Sequence, residues 1–457
     1  MKRVLFSLGI CAALVAGCGD RGSQWDAEID SSNEALGLQG SVALIDAPTE
    51  RVMMIAANAD LSPVYAPLPL GRGYVRAETT QKRDRLLVLS QGDVPRRSLE
   101  DQGPSLTVYD GSSSPKVSET YPLLNPLKGL QVDPDGEYAV VHAVSDDTAF
   151  VLNPNELIIT NITKQPSSSN PRSVTLRSFG GAPSSFVFTP SLGIPGGARR
   201  MLIALTDRDL GLVDLDDASS SDITVPLSDS DERLAPSGVA VSDGDPDVAD
   251  DALIAIQLAA SNDVVILRFQ TPSTGSTSAH PFQVVPNKVP VGGVASAIGF
   301  VHTDGGLRLA ALVPGRQSIA LVDPDRGLST EVPLGATFDQ MRIMPSPDGD
   351  GDLAIVWSSY SAVLGLVSLG SSIGKPYRSV DTISLSSYVE ELHDVPNVDS
   401  QKLLRLSNGS QFVVLDLVAR TAAPLISTSG AEVSLSPDGQ RAVIFVPGSA
   451  SLRVWWI

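Results

Sequence analysis

Residues Glu432 to Val446 read EVSLSPDGQRAVIFV, in which two apolar runs flank a Ser-Pro-Asp-Gly turn. Proline presets the φ angle of a tight turn, and glycine accepts the positive φ that other residues resist. Short β-type runs on both sides of such a turn are typical of a β-hairpin. Two further clean copies, Val132 to Gly136 and Ser346 to Gly349, predict the same hairpin elsewhere in the chain.

Hairpin turns of this kind recur along most of the chain. With five weaker counterparts there are eight turn positions, 40 to 61 residues apart: Asp84, Gly136, Gly196, Gly244, Gly305, Gly349, Asp399 and Gly439. A run that ends in Asp follows several of these turns, as in Ser318 to Asp323, and a shorter run with proline comes next, as in Ser329 to Leu334. Four short strands per unit at this spacing indicate the blades of a propeller.

The order of strand, turn, apolar strand and Val-x-Val-x-Asp-like strand resembles the bacterial YVTN and WD40-like propeller repeats, over most of residues 41–457. The resemblance implies an all-β β-propeller, with eight blades expected and seven as the alternative; a series of β-sandwiches is also left open. The last run, Leu452 to Ile457, has no outer strand after it, and Ser41 to Asp46 nearly repeats Ser318 to Asp323. We therefore predict that the N-terminal segment Ser41 to Ala57 closes the last blade.

The first residues form a leader with a charged start and an apolar core. Lys2 and Arg3 precede the apolar run Val4 to Leu14, which is too short to span a bilayer, and Val15 to Gly17 lead to Cys18. This order resembles the signal of bacterial lipoproteins. The resemblance implies cleavage before Cys18, acylation of that cysteine with palmitate, and retention on a membrane by lipid alone. An ordinary cleaved secretory signal is the alternative.

Three segments follow from this interpretation: a signal peptide at 1–17, a lipidated flexible tether at 18–40 and the propeller domain at 41–457. Cys11 lies in the leader, so Cys18 is the only cysteine of the mature chain, which excludes an intrachain disulfide. Gly19 follows Cys18 in place of the aspartate that retains enteric lipoproteins in the inner membrane. We therefore expect a lipid-anchored protein of the cell envelope, in the outer membrane if the organism is Gram-negative.

The composition is strongly acidic. There are 33 Lys plus Arg against 52 Asp plus Glu, for a formal net charge of −19. Charge of this sign repels phosphate backbones and anionic headgroups. We expect no nucleic-acid partner, and attachment to the membrane through the lipid anchor only.

One acidic cluster is a candidate metal site. Alternating carboxylates between residues 243 and 251 are suited to a hard cation such as Ca²⁺: Asp243, Asp245, Asp247, Asp250 and Asp251. The cluster departs from the EF-hand loop, because Val248 replaces the turn glycine and Ile254 replaces the closing glutamate. A solvated acidic loop is the alternative, and a shorter cluster of the same type occurs at Asp348, Asp350 and Asp352.

No combination of nucleophile, base and orienting group is apparent in the sequence. The four histidines lie far apart without metal-ligand spacing, and no G-x-S-x-G or phosphate-binding glycine loop occurs. The preferred hypothesis is a non-enzymatic propeller scaffold, without cofactor, that binds a protein or another cell-envelope component. The alternative is an exported propeller enzyme, lactonase-like or hydrolase-like, with an acidic and calcium-dependent axial site.

Overall fold

The computed structural model describes residues 34–57, 63–111, 115–144, 153–178, 181–227, 234–249, 251–273, 280–349, 351–370, 380–407, 411–427, 432–436, 438–446 and 451–456. Within these ranges the regular structure is β-strand apart from two short 3₁₀ helices, Ala47–Thr49 and Pro314–Arg316. None of the helices found there has the length and apolar character needed to cross a membrane.

The strands of the first half form blades 1 to 4, each a four-stranded antiparallel sheet. They are β1 (Ala35–Leu38), β2 (Ser41–Asp46), β3 (Arg51–Ala57) and β4 (Pro63–Pro69) in blade 1; β5 (Tyr74–Thr79), β6 (Arg85–Ser90), β7 (Ser105–Asp110) and β8 (Lys116–Pro122) in blade 2; β9 (Gly129–Val132), β10 (Tyr138–His142), β11 (Glu156–Asn161) and β12 (Arg172–Thr175) in blade 3; and β13 (Ser185–Phe188), β14 (Met201–Leu205), β15 (Asp209–Asp214) and β16 (Ile223–Pro226) in blade 4.

The second half contains four more such blades and a three-stranded C-terminal sheet. The strands are β17 (Pro236–Val241), β18 (Leu253–Leu258), β19 (Asp263–Gln270) and β20 (Gln283–Pro290) in blade 5; β21 (Ala297–Thr303), β22 (Gly306–Val313), β23 (Ser318–Val322) and β24 (Ser329–Pro333) in blade 6; β25 (Gln340–Pro345), β26 (Asp352–Trp357), β27 (Val363–Ser368) and β28 (Asp381–Ser384) in blade 7; β29 (Val389–Asp394), β30 (Gln401–Leu406), β31 (Gln411–Asp416) and β32 (Thr421–Ser427) in blade 8; and β33 (Glu432–Leu435), β34 (Arg441–Val446) and β35 (Ser451–Trp456) in the C-terminal sheet.

The predicted all-β, eight-bladed propeller is confirmed, with eight complete four-stranded blades among the described residues. Each of the eight turn positions found in the sequence lies between the first and second strands of its sheet. Seven blades, the alternative, is excluded. The C-terminal sheet is an addition to the eight blades, and its first strand lies beside the first strand of blade 1.

Neighbouring sheets are held together by buried apolar clusters. Leu38 and Ile45 of blade 1 pack with Val88 of blade 2, and similar clusters join each later pair of neighbours. At the end of the chain, Phe412 of blade 8 packs with Val433 of the C-terminal sheet. The first strands line the axis of the ring, so the first turn of every blade faces the same axial opening.

The predicted closing strand is wrong. Ser41–Asp46 does not add to the last sheet; it pairs with Ala35–Leu38 and Arg51–Ala57 inside blade 1. The physical reason is that the N-terminal segment supplies a complete blade, in which the short run Ala35–Leu38 is the inner strand. The folded domain therefore includes residues that the sequence analysis placed in the tether.

The ring closes instead through contacts between two inner strands. Gly40 N donates to Leu435 O at 3.3 Å, and the Ser434 hydroxyl donates to Leu38 O. A Cβ atom built on Gly37 would lie 2.2 Å from Val433 O. Glycine at position 37 thus permits the close approach of β1 to β33.

Replacing Gly37 with alanine is expected to lower the free energy of unfolding by about 1 to 3 kcal/mol, because the new methyl group meets a backbone carbonyl. Gly299→Ala is the matched control. Its Cβ would meet Ile343 Cδ1 at 2.4 Å, the far end of a flexible side chain, so a smaller loss is expected. Urea denaturation of both variants measures the difference; equal losses would contradict the close-approach argument.

Candidate functional site

A depression of about 750 Å³ lies on the face that carries the first turns of the blades. We call this depression the axial opening. Its walls come from blades 1, 2, 3, 7 and 8 and from the C-terminal sheet. The lining is mainly polar: Gln39, Thr79, Thr80, Gln81, Lys82, Arg83, Asp84, Pro134, Asp135, Arg342, Leu392, His393, Asp394, Pro396, Asn397 and Leu435.

Arg83 lies in the first turn of blade 2 and reaches across the contact between β1 and β33 that closes the ring. We call this contact the seam. Its Nη1 donates to Val433 O of the C-terminal sheet at 2.6 Å, and its Nη2 lies 3.0 Å from His393 Nδ1 in blade 8. Its own carbonyl accepts from Gln39 N of blade 1 at 2.7 Å. One side chain and its backbone thus connect blades 1, 2 and 8 with the C-terminal sheet.

His393 is held as a neutral ring. A guanidinium can only donate, so Nδ1 accepts from Arg83 and the ring proton resides on Nε2, which lies 3.1 Å from Glu391 Oε2. Burial lowers the pKa of His393, and the charge of Arg83 lowers it further, against the opposing effect of Glu391. Protonation of Nδ1 would make it a donor, so that it would face the donating Nη2 of Arg83 without an acceptor between them.

Acidification is expected to destabilise the fold in the range where histidine titrates. The unfolded His393 has a pKa of about 6.5, and the folded value is lower, so the unfolded chain binds more protons below that pH. The free energy of unfolding therefore falls as the pH decreases through about 6.5 and stays reduced below the folded pKa. His142, whose pKa is also lowered by burial, adds to the effect.

Urea denaturation between about pH 7.5 and 5.5, where carboxylates remain ionised, measures this dependence. His393→Gln removes the titrating ring and keeps an acceptor for Arg83, so its stability is expected to vary less with pH. A slope as steep as that of the wild type would contradict the assignment to His393.

One wall of the axial opening is an ion-pair network around Asp394, the residue that follows His393 in β29. Lys402 Nζ lies 3.0 Å from Asp394 Oδ1, and the Arg342 guanidinium donates to the same carboxylate and to Leu392 O. Burial would raise the pKa of Asp394, but the hydrogen bond from Lys402 and the charge of Arg342 outweigh it and lower that pKa. This wall therefore carries charged side chains whose positions are set by their mutual ion pairs.

The rim of the axial opening carries exposed polar side chains. Gln81, Lys82 and Asn397 are all exposed. Among the described residues no carboxylate pairs with Lys82. These side chains can form amide and ammonium hydrogen bonds with a ligand. The ion pairs deeper in the axial opening hold the loops that carry them in place.

The Val-Asp-Pro-Asp-Gly turn of blade 3 has a structural role beside the opening. Arg200, from blade 4, contacts three carboxylates of this turn: Asp133 at 2.9 Å, Asp135 at 3.2 Å and Glu137 at 2.5 Å. The Asp133 side chain is 1% exposed, and its carboxylate also accepts from the backbone N atoms of residues 135 and 137. The turn thus binds one blade to the next.

The predicted calcium cluster is only partly within the described residues. Asp251 Oδ2 accepts from Asp245 N at 2.8 Å, and Asp245 Oδ1 accepts from Asp247 N at 2.9 Å. In the part of the chain that the structure describes, no three His, Cys, Asp or Glu side chains are grouped as metal ligands. Asp250 lies outside that part, so the calcium site stays a prediction.

The structure brings together three residues that the sequence left apart. His302 Nε2 lies 3.6 Å from Asp243 Oδ1, and His302 Nδ1 lies 3.7 Å from Asp352 Oδ2. The Asp352 carboxylate also accepts from His302 N at 2.6 Å. The three residues come from blades 5, 6 and 7, where consecutive first turns meet, which only the ring geometry reveals.

The other two histidines, which the sequence analysis did not assign to a site, lie apart from these groups. His142 packs at a tilt against Phe186, with ring centroids 4.6 Å apart, and His280 lies 3.1 Å from the Ser220 hydroxyl. Cys18 and Asp350 lie outside the described residues. Asp348 lies in the first turn of blade 7, as the repeat predicted.

No family model and no curated protein matches the chain. Solved structures with a similar fold include a eukaryotic initiation factor, with 11% identity, a TM-score of 0.48 and coverage of 94% of this chain and 91% of that one. Another is the dihydro-heme d1 dehydrogenase NirN, with 13% identity, a TM-score of 0.43 and coverage of 97% and 76%.

A third similar structure is the β-propeller domain of Myceliophteria thermophila Cps50 (Swd1), with 9% identity, a TM-score of 0.38 and coverage of 85% of this chain and 98% of that one. At these identities the likeness concerns the fold alone. The sheets described above define the class: the chain is a β-propeller with WD40-like four-stranded blades.

Proposed function

We propose that this protein is a lipid-anchored, exported propeller that binds a protein or another polar component of the cell envelope at its axial opening, without catalysing a reaction. The observation that carries the proposal is the arrangement of that opening. Exposed Gln81, Lys82 and Asn397 surround a base in which Arg83 and Arg342 are already engaged by other groups of the ring. Loops fixed on a rigid scaffold in this way are typical of binding surfaces.

The anchor is the second part of the proposal. It is supported by the leader and by the sequence Leu14 to Cys18. Cys18→Ser is expected to abolish labelling by radioactive palmitate and to release the protein from the membrane fraction. Labelling that persists in the variant would contradict the anchor.

Site-specific crosslinking in cells tests the binding surface. A photo-crosslinking amino acid at position 82 or 397 is expected to capture the same envelope component from both positions. Position 360 is the control, because Tyr360 is 88% exposed and lies in a turn on the opposite face. Lys82→Glu, with the crosslinker at position 397, is expected to reduce the capture severalfold.

Capture that is equal at positions 82, 397 and 360 would contradict an axial binding surface. So would capture at position 397 that is unchanged by Lys82→Glu. Both results are independent of the palmitate labelling, so the binding surface and the anchor are tested separately.

A further inference from the structure

The two faces of the ring differ in charge. Because neighbouring strands are antiparallel, the connections from first to second strands and from third to fourth strands share the face of the axial opening. Their described residues include seventeen Asp and Glu against seven Lys and Arg. The remaining connections lie on the other face, and their described residues include six Asp and Glu against seven Lys and Arg. We call this nearly neutral side the entry face.

The entry face is also the more apolar of the two. Ten large apolar side chains are exposed in the described residues, and three of them lie on the face of the axial opening. Six lie in connections of the entry face: Val94, Leu99, Leu124, Val294, Tyr360 and Tyr388. Exposed apolar side chains that gather on one side of a protein are typical of a surface that binds something.

At the end of blade 2 the entry face combines apolar with basic side chains. Val94 and Leu124 line a depression of about 670 Å³ together with Arg96. Leu99 follows the exposed pair Arg96 and Arg97 in the same loop and is 97% exposed. Leu124, in the neighbouring connection, is 77% exposed. Leucines beside arginines are typical of a segment that lies in the interface of a membrane.

Two of the three carboxylates in this loop hold its shape. Asp93 Oδ2 accepts from Gln102 N at 2.8 Å and lies 3.2 Å from Arg72 Nη1. Asp101 Oδ2 accepts from Ser98 N at 2.8 Å. The loop is therefore a fixed structure that presents its apolar and basic side chains outward.

We propose that the entry face, led by Leu99 and Leu124, rests on an anionic lipid surface. The leucines enter the boundary between headgroups and acyl chains, while Arg96 and Arg97 contact the headgroups. Anionic headgroups attract these arginines and repel the acidic face, so both effects favour one orientation. The net charge of −19 led us to expect contact through the lipid anchor only, but that expectation treats the charge as evenly spread over the surface.

The course of the chain agrees with this orientation, an argument that rests on the proposed lipid anchor. Strand Ala35–Leu38 leads to its turn beside the axial opening, so it begins on the entry face. Glu34, whose carbonyl accepts from Ile45 N at 3.0 Å, therefore joins the domain on that face. An anchor at Cys18 would hold the entry face near the lipid at a high effective concentration. The axial opening would then point away from the membrane, toward its proposed partner.

Vesicle binding tests the contact without the anchor. The protein is the mature chain with Cys18→Ser, and flotation measures its binding to vesicles of phosphatidylglycerol and phosphatidylethanolamine at millimolar lipid. Leu99→Asp combined with Leu124→Asp is expected to weaken binding by about tenfold or more, because two apolar side chains no longer enter the lipid. Leu328→Asp combined with Val418→Asp is the matched control on the face of the axial opening and is expected to leave binding unchanged.

The two arginines are tested separately. Arg96→Gln combined with Arg97→Gln is expected to weaken binding to these anionic vesicles severalfold. Binding to vesicles of phosphatidylcholine alone, which carry no net charge, is expected to stay the same. Equal weakening on both kinds of vesicle would contradict a contact between these arginines and anionic headgroups.

A fluorescent label reports the orientation in the acylated protein. With the Cys18 thiol acylated, Leu99→Cys or Val418→Cys supplies a single free thiol for an environment-sensitive dye. Nitroxide-labelled lipids are expected to quench the dye at position 99 and to leave it unquenched at position 418. Equal quenching at both positions would overturn the proposal.

Three further results would overturn the membrane contact. They are failure of the Cys18→Ser chain to bind vesicles, equal effects of the two aspartate pairs, and capture of one protein in place of lipid by a photo-crosslinking amino acid at position 99. The vesicle experiment uses a chain without an acyl group, and palmitate labelling of Cys18 is a separate result. Failure of the membrane contact and failure of the anchor are therefore distinguishable.

Discussion

Replacing Arg200 with methionine is expected to lower the free energy of unfolding by about 3 to 5 kcal/mol. The guanidinium lies 2.9 Å from Asp133 Oδ2, and the Asp133 side chain is 1% exposed. Methionine of similar length fills the space but leaves a buried carboxylate without its counter-ion. The loss is large because an uncompensated buried charge has no water to replace the missing partner.

The contacts with Asp135 and Glu137 are expected to contribute little to this loss. Their side chains are 61% and 51% exposed, so solvent screens both pairs. Asp135→Asn should therefore change stability by less than about 1 kcal/mol. Arg316→Met is the matched control, because Arg316 pairs with Glu331 at the surface. Equal losses for Arg200→Met and Arg316→Met in urea denaturation would show that the turn of blade 3 is not locked by Arg200.

Features that depend on neighbouring residues were predictable from the sequence. A tight turn needs only a few residues of suitable φ, and Asp133 to Gly136 show this locally: Gly136 has φ of 73°. The strand that follows each turn has an apolar run of its own, as in Arg441–Val446. The order of strands within a blade could therefore be predicted before the fold was known.

Ring closure and the candidate site could not be predicted in this way, because they join residues far apart in the chain. Arg83 and His393 are separated by 310 positions, and neither lies in a motif. Ala35–Leu38 is too short to stand out from the polar residues around it, so this inner strand was assigned to the tether and Ser41 to Ala57 to the closing of the last blade. Asp243, Asp352 and His302 likewise meet only because consecutive blades are neighbours in the ring.

Replacing Arg83 with methionine is expected to lower the free energy of unfolding by about 2 to 4 kcal/mol, because two acceptors lose a charged donor. Those acceptors are Val433 O and His393 Nδ1. The change should act at the seam first: amides of 35–38 and 432–435 are expected to exchange faster, while those of 254–258 in blade 5 report only global unfolding. Arg83→Lys is expected to lose less than Arg83→Met, because lysine keeps a charged donor. It still loses some stability, since a single ammonium lacks the fork that serves both acceptors.

The same variant should also change the titration of His393. Burial is the main cause of its lowered pKa, and that cause remains, but the charge of Arg83 contributes in the same direction. The pKa of His393 is therefore expected to rise in Arg83→Met, and NMR titration of the ring measures it. If Arg83→Met caused only a general loss of packing, amide exchange would become faster by the same factor at the seam and in blade 5, which would contradict the prediction. Selective opening of the seam together with a raised His393 pKa would instead identify Arg83 as the residue that closes the ring.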